Sequence, residues 1–216
     1  SKRIKNKCIK NFINKPIITF SIETALKSKL FSTIHVSTDS KKIINISKKY
    51  KINLDFLRPK KLSGDGVSTF DVIKFVAKQF EKKNFIFDEV WCLSPCSPLI
   101  NSDDLIKASK VLDKYPNKII LPITEYSVPI QWAFEIKKKN YLKPLKKGYY
   151  KIRSQRLKKY YHDIGNFIYF KKKLLEKINK NFQIDMNYYG LKFPKYKSVD
   201  IDDLEDWKYA ELLFSR

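Results

Sequence analysis

Apolar residues along this chain switch repeatedly between two spacings. In "KPIITFSIETALKSK", Ile18, Ile22, Ala25 and Leu26 fall at i, i+4, i+7 and i+8, one face of a helix. "TIHVSTD" reads as a short strand ending in polar turn residues, and "SKKIINISKKY" as a helix again, with Ser40 as a candidate N-cap. "NLDFLRP" reads as a strand stopped by Pro59. "STFDVIKFVAKQFEKK" sets Ile73, Val76, Ala77 and Phe80 on one helical face. "DEVWCLSP" is a strand, "NSDDLIKASKVLDKY" a helix with a polar start, and "NKIILPITEY" a further strand.

Strands alternating with helices of this length imply an α/β fold, a mostly parallel sheet covered on both faces. Ligands in such folds sit beyond the carboxyl ends of the strands, here 37–40, 57–59 and 94–99. After Tyr126 the alternation breaks, and the Lys- and Tyr-rich segment 131–162 reads as an excursion from the sheet. "GNFIYF" resumes a strand, and "DLEDWKYAELLF" forms a final helix with Leu204, Trp207 and Ala210 facing inward. Neither an internal repeat nor a low-complexity linker interrupts the pattern, so a single domain over 1–216 is expected.

Composition narrows the classes. With 216 residues and 43% hydrophobic content the chain can bury one sizeable core. It has no run near the roughly 18 apolar residues that a membrane span requires, and no charged-then-apolar leader at its start. Cys8, Cys92 and Cys96 read as reduced thiols of a cytoplasmic protein. Lys and Arg number 45 against 22 Asp and Glu, a net charge of +23. Arginine occurs only at 3, 58, 153, 156 and 216, and the lysines are scattered over every element. That distribution favours a solvated surface over a nucleic-acid site, and stays compatible with attraction of nucleoside triphosphates.

Against this excess, "KSVDIDDLEDW" gathers Asp200, Asp202, Asp203, Glu205 and Asp206. Asp200 and Asp202, one residue apart in an extended segment, point the same way with Ile201 opposite. Two carboxylates so placed suit a Mg²⁺ that also binds phosphate oxygens. The other reading is helix capping by Asp202 or Asp203, with Glu205 and Asp206 in the first turn; both can hold together. "SKRIKNK" can hold phosphates through backbone N–H groups and ammonium, or be a basic tail. His162 and Asp163 are adjacent, and so point apart in an extended chain, as an acid–base group or a polar pair at a strand start. Arg58 is a candidate anion or base clamp, or an exposed strand end. Gly64 and Gly66 make a flexible loop entering a helix, while Cys92 and Cys96 are read as core and loop residues without a metal.

Together these pieces resemble the CMP-sialic acid synthetase superfamily, the cytidylyltransferases that activate nine-carbon acidic sugars. "SK…K", "KPIITFSIETALKSKLF", "VSTDS", "FLRPKKLS", "STFDV", "SPCSPL" and "SVDID" occur in the family's order over essentially the whole chain. "PIQWAFEI" (129–136), "RSQRLKKYYHDIGNF" (153–167) and "VDIDDLEDWKYAEL" (199–212) are most similar to its pseudaminic acid branch. Where the sialic acid branch carries Asn-Gly, this chain has Ile164-Gly165.

The resemblance implies a Rossmann-like, GT-A-type nucleotidyltransferase of three layers. The implied reaction is attack of a sugar's anomeric hydroxyl on the α-phosphorus of CTP, giving a CMP-sugar and pyrophosphate. By the same resemblance Ser1 and Lys2 belong to the phosphate loop, Lys7 is a second basic residue, and Arg58 and Thr69 hold cytidine. Asp200 and Asp202 match a metal pair for Mg²⁺, and Arg153, Gln155, His162, Asp163 and Asn166 fall on the sugar side. The excursion 131–162 corresponds to a dimerisation segment, which implies a homodimer. Ser1 aligns after the family's first strand and inside its phosphate loop, and Cys8 stands where the family commonly has Asn. Rival readings are the same chemistry on N-acetylneuraminic or legionaminic acid, an inactive nucleotide-binding relic, and a basic nucleic-acid-binding protein.

Overall fold

A computed structural model of the chain describes residues 3–52, 54, 56–178 and 187–215. Its central sheet holds β3 (Glu89–Leu93), β4 (Ile119–Glu125), β7 (Tyr161–Asp163), β8 (Phe167–Lys171) and β9 (Tyr188–Lys192). Two small antiparallel pairs stand apart from it, β1 (Asn11–Phe12) with β2 (Lys15–Pro16) and β5 (Phe134–Ile136) with β6 (Leu142–Pro144).

Pairing in the central sheet corrects the expected mostly parallel arrangement. β3 with β8, β4 with β8 and β4 with β7 are antiparallel, and among the described residues only β4 with β9 is parallel. The physical cause lies in the excursion. The chain leaves the end of β4, crosses 126–160 and re-enters beside that same end, where the Tyr126 N–H donates to the Tyr160 carbonyl at 3.1 Å, so β7 runs the opposite way. Ile120 pairs with both Tyr169 and Tyr189, and Ile123 with both Asp163 and Lys192. A strand has two edges, so β7 and β8 share one edge of β4 in succession and β9 takes the other. "TIHVSTD" and "NLDFLRP" are not strands among the described residues. They meet through Arg58 N–H donating to the Thr38 carbonyl at 2.9 Å.

Helices form where the apolar period is 3.6, and some add side-chain caps at their starts. α2 (Lys41–Lys49) begins after Ser40, whose hydroxyl makes no capping bond. α3 (Thr69–Lys82) is capped by Ser68 accepting from the Asp71 N–H, and α4 (Ser102–Lys114) by a reciprocal Asn101–Asp104 box. α3 buries Ile73 and Ala77 against Ile119 and Phe170, while α4 lays Leu105, Ala108 and Leu112 on Ile120, Phe167 and Tyr169. Neighbouring strand residues therefore point to opposite faces, each covered by a helix. α1 (Ile18–Ser28) buries Ile18, Ile22 and Ala25 but leaves Leu26 exposed. In α5 (Leu204–Phe214) Trp207 and Ala210 point inward and Leu204 is exposed, a correction to the inward face read from the sequence.

A second core forms at the sheet's end, where Ile4, Phe12, Ile17, Phe20, Cys96, Ile201, Trp207 and Ala210 pack together. Edge-to-face contacts of Phe12 with Phe20 (5.4 Å), Trp207 (5.6 Å) and Phe214 (5.6 Å) tie the β1–β2 hairpin to α1 and α5. Each such pair adds about 0.5–1.5 kcal/mol beyond the area it buries. The polar groups described next stand on this apolar floor.

Candidate active site

Four short segments converge over this second core. The first is the single 3₁₀ turn Lys7–Ile9, fastened by buried Ile4 before it and by Cys8 packed on the cluster. That anchoring sends the Lys7 side chain across to donate to the Ile201 carbonyl at 2.5 Å, with its ammonium 3.9 Å from Asp202 Oδ1. Arg3, more exposed, meets the same Asp202 oxygen at 2.7 Å.

The second segment, 198–203, lies just before α5. Ile201 is fully buried, and the alternation of an extended chain therefore turns Asp200 and Asp202 away from the core. Helix capping fixes their backbone. Asp203 Oδ1 accepts from the Glu205 and Asp206 N–H groups, and Asp206 Oδ2 accepts from those of Asp202 (2.9 Å) and Asp203 (3.1 Å). The acidic cluster thus divides its labour: Asp203 and Asp206 hold the helix, and Asp200 and Asp202 are left facing outward.

The third segment is the turn 163–166 between β7 and β8. Gly165 has φ +67°, a left-handed conformation that glycine adopts freely, and a Cβ there would lie 3.6 Å from Asp200 Oδ2. Asp163 Oδ1 accepts from the Gly165 N–H at 2.9 Å. Partial burial pushes the Asp200 carboxyl above its usual range; Asp202, Asp206 and Asp163 push the same way and Lys7 opposes them. Asn166, buried, donates its side-chain amide to the Lys197 carbonyl at 3.2 Å, and its own carbonyl accepts from the Ser94 N–H at 2.8 Å.

That last bond brings in the fourth segment, the loop after β3. α1 holds it from behind, with Ser21 donating to the Ser94 carbonyl (2.7 Å) and Thr24 to that of Ile100 (3.0 Å). Cys96 in this loop donates its S–H to Cys8, which lowers the Cys8 thiol to about 6 against the opposing effect of burial and raises Cys96. Cys92 belongs elsewhere; burial among the α3-side apolar residues pushes it up to about 11.

The structure therefore brings Lys7, Asp163, Asn166, Asp200 and Asp202 to one end of the sheet. It sets other sequence-selected residues apart. Arg58 is committed to the 37–38 segment, through Ser37 Oγ at 3.1 Å and the Ser37 carbonyl at 2.5 Å. Thr69 is exposed as the first residue of α3. Arg153 and Gln155 line an open hollow with Trp132, Ser154 and Arg156 in the excursion. His162 Nδ1 is 2.9 Å from the Asp163 carbonyl, which can only accept, so Nδ1 carries a proton. Ser1 and Lys2 lie outside the described residues.

Sequence reasoning missed Arg3, the link from Ser94 through Asn166 to Lys197, and the Cys8–Cys96 contact. All three join segments far apart in the chain and leave no spacing to read. Among the described residues no three His, Cys, Asp or Glu side chains form a cage that could hold a metal on protein ligands alone. Likewise, no described helix is long and apolar enough to cross a membrane.

Comparison with known proteins fits this arrangement. A family model described as cytidylyltransferase matches residues 1–211. The chain is 35% identical over 214 residues to the pseudaminic acid cytidylyltransferase of Campylobacter jejuni, covering 99% of this chain and 91% of that protein. It is 30% identical to the N-acylneuraminate cytidylyltransferase of Escherichia coli, covering 97% of this chain and 48% of that protein. In fold it is similar to a CMP:2-keto-3-deoxy-manno-octonic acid synthetase solved with CTP. That match has TM-score 0.68 and 14% identity, covering all of this chain and 94% of the other.

Proposed function

The chain belongs to the cytidylyltransferase family, and on that premise we propose that it transfers CMP from CTP to the anomeric hydroxyl of pseudaminic acid, releasing pyrophosphate. The observation that carries this reading is the near-full-length identity to a pseudaminic acid cytidylyltransferase, joined to a cluster of carboxylates and a lysine at the sheet's end.

The chemistry asks for charge compensation and placement. A triphosphate resists attack by a hydroxyl until its negative charge is offset and the oxygen lies in line with the α-phosphorus. Lys7, held by the Ile201 carbonyl, presents a fixed ammonium, and Arg3 adds a guanidinium on the same side. Asp200 and Asp202 fit Mg²⁺: two outward carboxylates, the first with its pKa raised by partial burial and then by neighbouring carboxylates, are relieved by a hard cation that keeps several waters and phosphate oxygens. When bound, that ion would offset charge on the triphosphate and on leaving pyrophosphate. Ser1 and Lys2 of the phosphate loop, and Arg58 and Thr69 on the cytidine side, are assigned through the family resemblance.

On the sugar side, Arg153 offers a forked pair of donors to the sugar carboxylate, with Gln155 beside it. His162 contributes its Nε2, Asp163 its second oxygen, and Asn166 its amide oxygen, since its amide nitrogen is committed to Lys197. The excursion exposes Ile136, Tyr141 and Leu145 to 71%, 72% and 64%, which supports a homodimer formed through this region.

Competition tests the substrate. With CTP limiting, an equimolar mixture of pseudaminic, legionaminic and N-acetylneuraminic acids should yield CMP-pseudaminic acid as the dominant product. A dominant CMP-N-acetylneuraminic acid would move the chain to the sialic acid branch.

A further inference from the structure

Two thiols in the molecule have no part in the transfer chemistry, yet they touch beneath it. Cys8 sits on the 3₁₀ turn next to Lys7, and Cys96 in the loop after β3; 88 residues apart in sequence, the two thiols come together in one apolar cluster. Both pack in the aromatic cluster of Phe12, Phe20 and Trp207, Cys8 half-buried at its rim and Cys96 buried within. The third thiol, Cys92, packs in a different cluster under α3, so the pairing is specified by the fold.

We propose that Cys8 and Cys96 form a reversible redox pair whose oxidation to a disulfide by a hydroperoxide slows nucleotidyl transfer. The sequence of bonds is simple. Cys8, the more exposed sulfur and flanked by the Lys7 ammonium, attacks the hydroperoxide, breaking its O–O bond; the alcohol leaves and Cys8 becomes a sulfenic acid. The Cys96 sulfur, already in contact, attacks the Cys8 sulfur, forming the S–S bond and expelling water with the Cys96 proton. Two thiols are oxidised while one hydroperoxide is reduced to alcohol and water. A reducing thiol reverses the exchange.

The effect on catalysis passes through Lys7 and rests on the function proposed above. Disulfide geometry fixes the dihedral and the sulfur separation, so closing the bond shifts the turn whose next residue carries the ammonium. Displacement of such a group by about 1 Å costs on the order of a hundredfold in rate. Lys7 also bonds the Ile201 carbonyl between the two outward carboxylates, so both sides of the site feel the turn move.

The test treats the full chain with a mild alkyl hydroperoxide. Expected are a fall from three titratable thiols to one, a Cys8–Cys96 cross-linked peptide, and a loss of turnover of about tenfold to a hundredfold, restored by dithiothreitol. Cys96→Ala should keep its turnover through the same treatment. Three thiols remaining, a cross-link through Cys92, or oxidation of Cys8 without a cross-link would each overturn the pair. A cross-link with unchanged turnover would overturn the regulatory effect. Cross-linking in a protein whose reduced form shows no transfer to any acidic sugar would instead count against the proposed function alone.

Discussion

Asp202 is the residue on which the site turns, because Arg3 and Lys7 both converge on its Oδ1 while its backbone N–H is held by Asp206. Asp202→Asn keeps the shape and removes the charge. Pyrophosphate release should fall by about a hundredfold or more, while the melting temperature moves by only about 2 °C; activity near that of the parent protein would take Asp202 out of the mechanism. Asp200 gives a prediction in pH. Its folded pKa is raised, so its contribution to stability is present below the unfolded pKa and lost as pH rises through the folded value. In Mg²⁺-free buffer Asp200→Asn should therefore melt higher than the parent near neutral pH, and the gap should close below the ordinary carboxylate range. Adding Mg²⁺ should narrow it from the other side by stabilising the parent alone. A gap independent of pH would mean that packing, not charge, sets it.

At the scale of elements, a single ion pair ties the site segment to the sheet's helical cover. Lys197 lies 2.5 Å from Asp104, both side chains are largely buried, and the same Asp104 oxygen accepts the N–H of Asn101 to cap α4. Lys197→Met leaves that carboxylate buried without its cation and should cost about 3 kcal/mol in urea unfolding; a loss no larger than that of an exposed pair would show that solvent reaches Asp104. The helices α2, α3 and α4 were legible in sequence because the 3.6 period runs through each, reinforced at α3 and α4 by side-chain caps. Strand direction was not. Alternating elements favour parallel crossovers, but β7 returns beside β4 through a segment of 3₁₀ turns and the short β5–β6 hairpin, with no α-helix to make the crossover. β9 was missed for a related reason: "YYGLK" has a glycine at its centre, and Gly190 is there because a side chain would strike Ile123. In the site, the outward pair Asp200 and Asp202 was readable from alternation alone, whereas Arg3, Asn166 and the Cys8–Cys96 contact depend on where distant segments come to rest.

The whole molecule is a sheet covered by helices, with one end built over its own aromatic core and an excursion displaying apolar side chains to solvent. If those side chains form the dimer, Ile136→Glu with Leu145→Glu should shift sedimentation to the monomer at micromolar concentration while leaving the melting of the central sheet in place. A parent chain that is already monomeric at that concentration would contradict the dimer. Its high positive charge belongs to this scale too, drawing the triphosphate and the acidic sugar from solution, so their KM values should rise with salt. The central claim, transfer of CMP to pseudaminic acid, is tested most directly by pyrophosphate release from CTP and Mg²⁺ with that sugar, run beside N-acetylneuraminic acid. Release with pseudaminic acid and little with the other is the result expected; silence with both, in folded protein that still binds CTP, would contradict it.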